Sequence, residues 1–158
     1  MATAHFNIGS NLGDRLAAIG RAVALLEHAI GAGATVSAPV LSDAWGFDSP
    51  NRFINVGVNI DAGNLSARRL LEIAAETERL IDPDGRHRTP DGGYADRMID
   101  IDLLCVGAPV SQADPVLPHP RMQDREFVLR PLAGLLPDWR HPLSGMTATE
   151  LLEILHTK

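Results

Sequence analysis

Two aspartates separated by a single residue are the sharpest candidates for chemistry in this sequence. Asp100 and Asp102 lie in the segment 97–104, where carboxylates alternate with isoleucine and leucine as in a half-buried strand. Residues two apart in a strand share a face and lie roughly 6.5 Å apart along it, so both aspartates would face away from the core. The negative charges of such neighbours repel each other. Mg²⁺ binds one or two carboxylates together with water and substrate phosphate, so a bound ion would replace this repulsion by attraction. The alternative is an exposed strand face that carries two aspartates by chance.

Arginines gather around this segment. Arg86 and Arg88 precede it, Arg97 opens it, and His119 and Arg125 follow. The guanidinium fork matches the oxygens of a phosphate, and a pair of metal ions can clamp a phosphate during its transfer. Each arginine taken alone could equally form a surface ion pair. As a group they predict a site for a phosphorylated substrate.

The few aromatic residues point to a second kind of ligand. Trp45 and Phe53 lie in or beside a loop at 42–52, Tyr94 lies in a second long loop, and Phe127 follows the arginine cluster. Flat rings gathered near loops favour a slot for a planar heterocycle, and Asn55 could offer a donor and an acceptor to its edge. The alternative is that Phe53 and Phe127 are ordinary core residues.

The balance of charge narrows the function further. The chain has 158 residues, enough for one domain with one core, and a formal net charge of -6. Only one of its 14 basic residues is a lysine, Lys158. The sequence therefore lacks the lysine of a phosphate-binding P-loop and any lysine placed for an internal Schiff base. An acidic chain is also a poor match for long nucleic acids, so phosphate must be met by local arginines or metal ions.

Cysteine content and apolar patterning favour a soluble, cytoplasmic protein. Cys105 is the one cysteine, so no internal disulfide can form, and its place in an apolar run favours a buried side chain. No charged-then-apolar segment opens the chain, and charged residues interrupt the longest apolar stretches. We therefore expect neither a membrane span nor a nucleic-acid partner.

Periodicity predicts the elements that must position these residues. Helices are predicted over 15–30, 67–81 and 147–155, and strands over 5–8, 35–41, 53–61 and 98–106. The order β-α-β-β-α-β predicts an α+β, ferredoxin-like antiparallel sheet with helices packed on one face and a C-terminal extension. A small open α/β sheet is the alternative, although the adjacent second and third strands favour a hairpin.

The order and spacing of these motifs resemble the 6-hydroxymethyl-7,8-dihydropterin pyrophosphokinase family. The resemblance covers nearly the whole chain, and no one segment decides it. The matching segments are 7–14, 53–55, 85–88, 97–104, 117–120 and 125–132.

The resemblance implies a single domain, 1–158, that acts as a monomer on small molecules. It would transfer the diphosphate of ATP to the hydroxymethyl group of 6-hydroxymethyl-7,8-dihydropterin and release AMP, in folate biosynthesis. Two Mg²⁺ ions held by Asp100 and Asp102 would bridge the ATP phosphates and the attacking hydroxyl, while Arg86 and Arg97 would neutralise charge on the transferring group. The loop 82–96 would close over ATP, as catalytic lids do.

By the same resemblance, the two substrates would be bound by separate sets of residues. The nucleotide set is Glu78, Arg86, Arg88, Arg97, Leu103, His119 and Arg125. The pterin set is Ser42, Asp43, Ala44, Trp45, Phe53, Asn55, Tyr94 and Phe127.

The sequence departs from the family pattern at several positions, and its loop 82–96 is about one residue longer than usual, with Gly92-Gly93. The family commonly has Trp-Gly-Pro before the arginine that matches Arg97, whereas this chain has Tyr94-Ala95-Asp96, which brings a negative charge beside that arginine. Pro120 and Ala75 replace polar residues often found at matching nucleotide positions. Two other interpretations stay open from the sequence: a non-catalytic module that binds a small regulatory ligand, and a metal-dependent phosphohydrolase.

Overall fold

The computed structural model describes residues 2–45, 47–84, 95–107, 109–112 and 115–158. The strands within them are β1 Thr3–Ser10, β2 Ala34–Val36, β3 Val40–Ser42, β4 Phe53–Asp61, β5 Asp100–Val106, β6 Ser111–Gln112 and β7 Val116–Leu117. The helices are α1 Arg15–Ile30, α2 Ala67–Ile81, α3 Glu126–Leu135 and α4 Ala148–Thr157, with a 3₁₀ turn at Met122–Asp124.

The main sheet is antiparallel throughout and has β1 at its centre. β1 pairs with β4 on one side and with β5 on the other, while β2 and β3 both pair with β4. Every residue of β1 after Thr3 is buried, as a strand covered on both faces requires. This strand order confirms the predicted ferredoxin-like sheet, and β6 and β7 form a separate small hairpin.

The strand predicted over 35–41 is two short strands instead of one. Between them, Ser37 donates its N–H to the carbonyl of Gly57 at 2.9 Å, and the Ser37 hydroxyl accepts the N–H of Gly57 at 2.8 Å. Pro39 has no N–H to give to a ladder, so regular pairing stops before it and resumes at Val40. β5 also begins two residues later than predicted, at Asp100.

Helices α1 and α2 share one face of the sheet and begin and end at the predicted residues. Asp14 caps α1 by accepting the N–H of Ala17 at 3.1 Å, and Ser66 caps α2 by accepting the N–H of Arg69 at 3.1 Å. Their apolar sides bury one set of alternate strand residues. The largest members of this core are Phe6, Ile8, Leu26, Ile60, Leu70, Ile73 and Ile99.

Helix α3, which periodicity did not predict, covers the opposite face. Gly57 allows its close approach, because a Cβ there would lie 2.7 Å from the Cβ of Pro131. Pro131 lacks an N–H, so the carbonyl oxygen of Phe127 has no donor from the next helical turn. Asn7 of β1 supplies one, because its Nδ2 donates to that oxygen at 3.0 Å. The sheet thus supports a helix that its own proline would tend to end.

Helix α4 closes a second apolar cluster against α3 and the 3₁₀ turn. It begins one residue after the predicted start of the last helix and ends two residues beyond the predicted end. Members of this cluster are Leu104, Met122, Val128, Leu129, Leu132, Ala148 and Leu151. None of the helices in the described ranges is long and apolar enough to cross a membrane.

A histidine is buried between the central strand and α3. The His5 side chain has no exposed surface, and its Nδ1 lies 2.6 Å from Asn59 Oδ1. Among the described residues, its Nε2 has no hydrogen-bond partner. Burial lowers the pKa of His5 from 6.5 to about 4, with the hydrogen bond to Asn59 opposing this shift.

We predict that His5 makes the protein acid-sensitive between pH 6.5 and about 4. In this window the unfolded chain binds the proton and the folded chain does not, so stability falls as the pH falls. At about 1.4 kcal/mol per pKa unit, the loss approaches roughly 3 kcal/mol near pH 4. Urea unfolding of the protein and of His5→Gln across this range measures the difference. Parallel pH profiles for the two proteins would contradict the assignment.

Candidate active site

A cavity of about 500 Å³ brings most of the candidate residues together. Its walls come from the loop between β3 and β4, from β4, β5 and α2, and from the segment between β7 and α3. The size is that of a pocket for a small organic ligand. The predicted residues that line it are Ser42, Asp43, Trp45, Phe53, Asn55, Glu78, Arg97, Asp100, Asp102, His119, Arg125 and Phe127.

The two aspartates of β5 face this cavity, as the alternation predicted. Asp100 Oδ1 lies 3.8 Å from Arg97 Nη1, and Asp102 Oδ2 lies 3.5 Å from Arg125 Nη1. The aspartate side chains are 28% and 25% exposed and the arginines 11% and 9%, so these charges meet with little water around them. Few solvent molecules screen them, and each pair therefore interacts more strongly than a surface ion pair.

Three titratable groups at this end have shifted pKa values. Burial and the charge of Asp100 raise the pKa of Glu78 to about 8, although Glu78 Oε1 accepts the N–H of Ile101 at 2.7 Å. Burial also raises the pKa of Asp102, against the pull of Arg125. Burial and the charge of Arg125 lower the pKa of His119 to about 4. Such shifts are concentrated at functional sites because they require buried charges held close together.

Aromatic rings of the cavity lie against its two largely buried arginines. The guanidinium of Arg97 lies 5.3 Å from the centre of the Phe53 ring. That of Arg125 lies 4.4 Å from the Trp45 ring and 5.9 Å from the Phe127 ring. These cation–π contacts hold the rings against the same arginines that reach the carboxylates. The flat faces and the charged groups therefore belong to one site.

A glycine separates the carboxylates from the amide of Asn55 on the sheet. Gly9 of β1 pairs with Asp100 on one side and with Asn55 on the other. Two strand spacings put Asp100 and Asn55 roughly 10 Å apart, and Asn55 Oδ1 reaches over Gly9, where it would lie 2.8 Å from a Cβ. Asn55 is held by donating Nδ2 to the Val40 carbonyl at 3.2 Å and to Ser42 Oγ at 2.8 Å. The missing side chain of Gly9 therefore makes room for Asn55 and for the Phe53 ring, whose Cδ1 would lie 3.4 Å from a Cβ there.

Sequence comparison identifies the family. The model of the family described as 7,8-dihydro-6-hydroxymethylpterin-pyrophosphokinase, HPPK, matches residues 5–137. The chain belongs to this family. It is therefore a pyrophosphokinase of folate biosynthesis, which transfers pyrophosphate to hydroxymethyldihydropterin. This membership favours a transferase over the regulatory module and the phosphohydrolase that the sequence left open.

Curated relatives of the pyrophosphokinase are similar over most of both chains. Each is called 2-amino-4-hydroxy-6-hydroxymethyldihydropteridine pyrophosphokinase. The protein of Porphyromonas gingivalis is 38% identical, and the match covers 90% of this chain and 95% of the relative. The protein of Methylorubrum extorquens is 36% identical, and the match covers 96% of this chain and 92% of the relative. The protein of Bacillus subtilis is 34% identical, and the match covers 84% of this chain and 77% of the relative.

Solved structures share the fold at low sequence identity. A crystal structure of an HPPK-DHPS in complex with substrates superimposes with a TM-score of 0.71 at 10% identity. The wild-type HPPK-DHPS of Plasmodium falciparum with SDX-DHP gives a TM-score of 0.63 at 12% identity. The pyrophosphokinase chain spans 43% of each of these longer chains, and 97% and 98% of its own length is covered.

Some predicted site residues of the pyrophosphokinase do not line the cavity. The Leu103 side chain is 4% exposed and packs in the core beneath α1 and α2, so only its backbone could reach a ligand. Ala44 lies in the loop between two lining residues without lining the cavity itself. Arg86, Arg88 and Tyr94 lie outside the described residues.

The cavity also contains residues that sequence reasoning missed. Arg121, which belongs to the arginine cluster of the sequence but was not assigned to either substrate, lies 5.6 Å from the Trp45 ring. Leu71 and Ala74 of α2 gave no signal in the sequence, because their spacing is that of an ordinary core helix. Ala75 and Pro120, which the sequence marked only as departures from the family, line the cavity as well.

We predict that Gly9→Ala destabilises the pyrophosphokinase. A Cβ at Gly9 would lie 2.8 Å from Asn55 Oδ1, and Asn55 is buried and held by two hydrogen bonds. Overpacking of this kind costs about 1–3 kcal/mol. Gly20→Ala is the matched control, because that Cβ meets nothing within 4 Å and alanine favours a helix by up to about 1 kcal/mol. Equal unfolding free energies in urea for the two variants would contradict the close contact.

Proposed function

We propose that the cavity transfers the diphosphate of ATP to the hydroxymethyl oxygen of 6-hydroxymethyl-7,8-dihydropterin and releases AMP. One observation carries the proposal. A ring-binding group, Trp45, Phe53 and Asn55, and a charged group, Asp100 and Asp102, line one cavity, and Gly9 lies between Asn55 and Asp100 in the sheet. A pterin placed at the first group, the ring end, would direct its hydroxymethyl group towards the second, the charged end.

The pterin would bind at the ring end. Phe53 and Phe127 offer ring faces, and Asn55 offers its Oδ1 as an acceptor to the edge of the heterocycle, since its Nδ2 already donates to Val40 and Ser42. The loop of Ser42, Asp43, Ala44 and Trp45 would line the pocket largely through its backbone, and Tyr94 would add a ring from the loop 82–96. Because β4 and its pairing with β3 hold the Asn55 side of the pocket before ligand binds, little ordering would be needed there.

The nucleotide would bind at the charged end. Arg97, Arg125 and His119 face the cavity there, and Glu78 lies beside the backbone of β5. We assign Arg86 and Arg88 to the phosphates and the Leu103 backbone to the nucleotide on the strength of the family resemblance. The neutral form of His119 is favoured by its low pKa, so at pH 7 it would act as a hydrogen-bonding group rather than as a cation.

The carboxylates fit Mg²⁺, for which we propose two ions. Asp100 and Asp102 supply hard oxygen ligands, and the described residues contain no cluster of three or more His, Cys, Asp or Glu side chains that could hold an ion alone. Two carboxylates with the remaining positions left to water and phosphate are typical of Mg²⁺ in phosphoryl transfer. The ions would neutralise phosphate charge and lower the pKa of a bound hydroxyl.

The residues of the chain contribute positioning and electrostatics. Arg97 and Arg125 would stabilise the charge that spreads over the transferring group, and the aromatic end would align the pterin hydroxyl with the β-phosphorus. We assign no side chain as a general base. We also propose that the chain works as a single domain, 1–158, as a monomer and in the cytoplasm.

We predict that AMP forms only when the pterin, ATP and Mg²⁺ are all present, and that Asp102→Asn lowers the rate by about a hundredfold or more. Losing one electrostatic group of a transfer site has that size of effect. The control is Asp138→Asn, an exposed aspartate after α3, which should retain wild-type turnover. ADP or phosphate as the product, without need of pterin, would instead indicate a hydrolase.

We predict that Arg97→Ala lowers kcat by about tenfold or more while KM for ATP changes by less than about threefold. The reason is that charge on the transferring group grows in the transition state, where the fork beside Asp100 acts. The kcat of Arg97→Lys should lie between those of the wild type and Arg97→Ala, because lysine keeps the charge and lacks the fork. Initial rates over an ATP titration separate the two constants. An effect confined to KM would assign Arg97 to ground-state binding alone.

A further inference from the structure

The carboxylate of Asp96 joins its own chain segment to two others. Oδ1 accepts hydrogen bonds from Asn11 Nδ2 at 2.8 Å and from Ser49 Oγ at 2.6 Å, and Oδ2 accepts one from Asn51 Nδ2 at 2.8 Å. Asn11 lies in the turn after β1, while Ser49 and Asn51 lie in the loop before β4. The negative charge expected beside Arg97 is therefore directed towards these donors. We call these four residues the Asp96 clamp.

The partners of Asp96 are also bonded to each other and to Arg97. Asn11 Oδ1 accepts the N–H of Arg97 at 2.8 Å, and the N–H of Asn11 donates to the Arg97 carbonyl at 3.1 Å. Asn11 Nδ2 also donates to the Asn51 carbonyl at 3.2 Å, and the Asn51 N–H donates to Ser49 Oγ at 3.1 Å. Asn11 is 3% exposed, so losing a partner would leave a buried amide unsatisfied.

The clamp lies where the strand ladders do not reach. β4 begins at Phe53 and β5 at Asp100, so Ser49, Asn51 and Asp96 all precede the regular pairing. Two of the three clamp segments lead directly into a group that lines the cavity. Phe53 comes two residues after Asn51, Arg97 comes immediately after Asp96, and the two side chains meet with the guanidinium 5.3 Å from the ring centre. The clamp therefore fixes both sides of this contact from behind.

We infer that Asp96 is a positioning residue. It holds the loop between β3 and β4, which leads to Phe53, in a fixed position relative to Arg97. The inference rests on the proposed function, which assigns the ring end to the pterin and Arg97 to the transferring group. A carboxylate suits the task because its two oxygens accept three donors at once, and hydrogen bonds to a charged acceptor are stronger than neutral ones. Asp96 itself does not line the cavity.

The inference predicts a split between the two substrates. In Asp96→Ala we expect KM for the pterin to rise about tenfold and kcat to fall about tenfold, the size of losing hydrogen bonds to a charged group. KM for ATP should stay within about twofold, because no clamp residue lines the cavity and Arg97, the nucleotide-end group that the clamp positions, is assigned to the transition state. The changes in Asp96→Asn should lie between those of the wild type and Asp96→Ala, since asparagine keeps one acceptor oxygen. The matched control is Asp138→Ala, which removes an exposed carboxylate.

Coupling to Asn51 provides a second measurement. If the clamp works as a unit, Asn51→Ala and Asp96→Ala together should cost little more than the larger single effect. Additive losses in kcat/KM would overturn the inference. Calorimetric binding of the pterin with a non-hydrolysable ATP analogue and Mg²⁺ supplies a readout without turnover, and it should weaken about tenfold in Asp96→Ala.

The outcomes separate this inference from the proposed function. A wild-type protein that forms no pterin-dependent AMP would refute the proposed function, and the inference would fall with it. An active wild type with Asp96→Ala as active as Asp138→Ala would refute the inference alone. A lower melting temperature for Asp96→Ala with both KM values unchanged would mean that Asp96 acts only on stability, and this too would refute the inference.

Discussion

Repulsion between two carboxylates is the constraint around which this site is built. Asp100 and Asp102 share one face of an edge strand, where neighbouring negative charges repel and burial raises the pKa of Asp102. Arg97 and Arg125 supply two positive charges at 3.8 and 3.5 Å, and Glu78 at the same end adds a third acid, whose pKa rises to about 8. With that pKa Glu78 is largely protonated at neutral pH, so it adds little to the repulsion, and the two arginines balance the two aspartates.

The two arginines come from different segments of the chain, and neither of them belongs to a strand of the sheet. Arg125 stands at the start of α3, whose position on the sheet depends on the contact between Gly57 and Pro131 and on the bond from Asn7 to the Phe127 carbonyl. Arg97 precedes β5 in a segment bonded to the turn after β1. Packing and hydrogen bonds outside the ion pairs themselves therefore decide whether the carboxylates have partners.

The sequence predicted what local patterns determine. Helices 15–30 and 67–81 and strand 53–61 were located to the residue, because each has a clear apolar period and each helix begins after a capping side chain. Alternation along β5 also predicted which side its aspartates face. Helix α3 was missed, since Pro131 normally ends a helix and its compensation by Asn7 comes from 120 residues away along the chain. The direction of Asp96 likewise depended on partners that only the fold brings near.

The geometry of this site suits arginine better than lysine, which the chain has only once. The Arg125 side chain is 9% exposed, its guanidinium lies 4.4 Å from the centre of the Trp45 ring, and its Nη1 lies 3.5 Å from Asp102. A lysine ammonium in that position would be desolvated, lose much of its tendency to stay charged and present no flat face to the ring. Guanidinium stays protonated when buried and is weakly hydrated, so it can meet a ring and a carboxylate together. The net charge of -6 does not oppose a polyphosphate here, because charges beyond about 8 Å are largely screened.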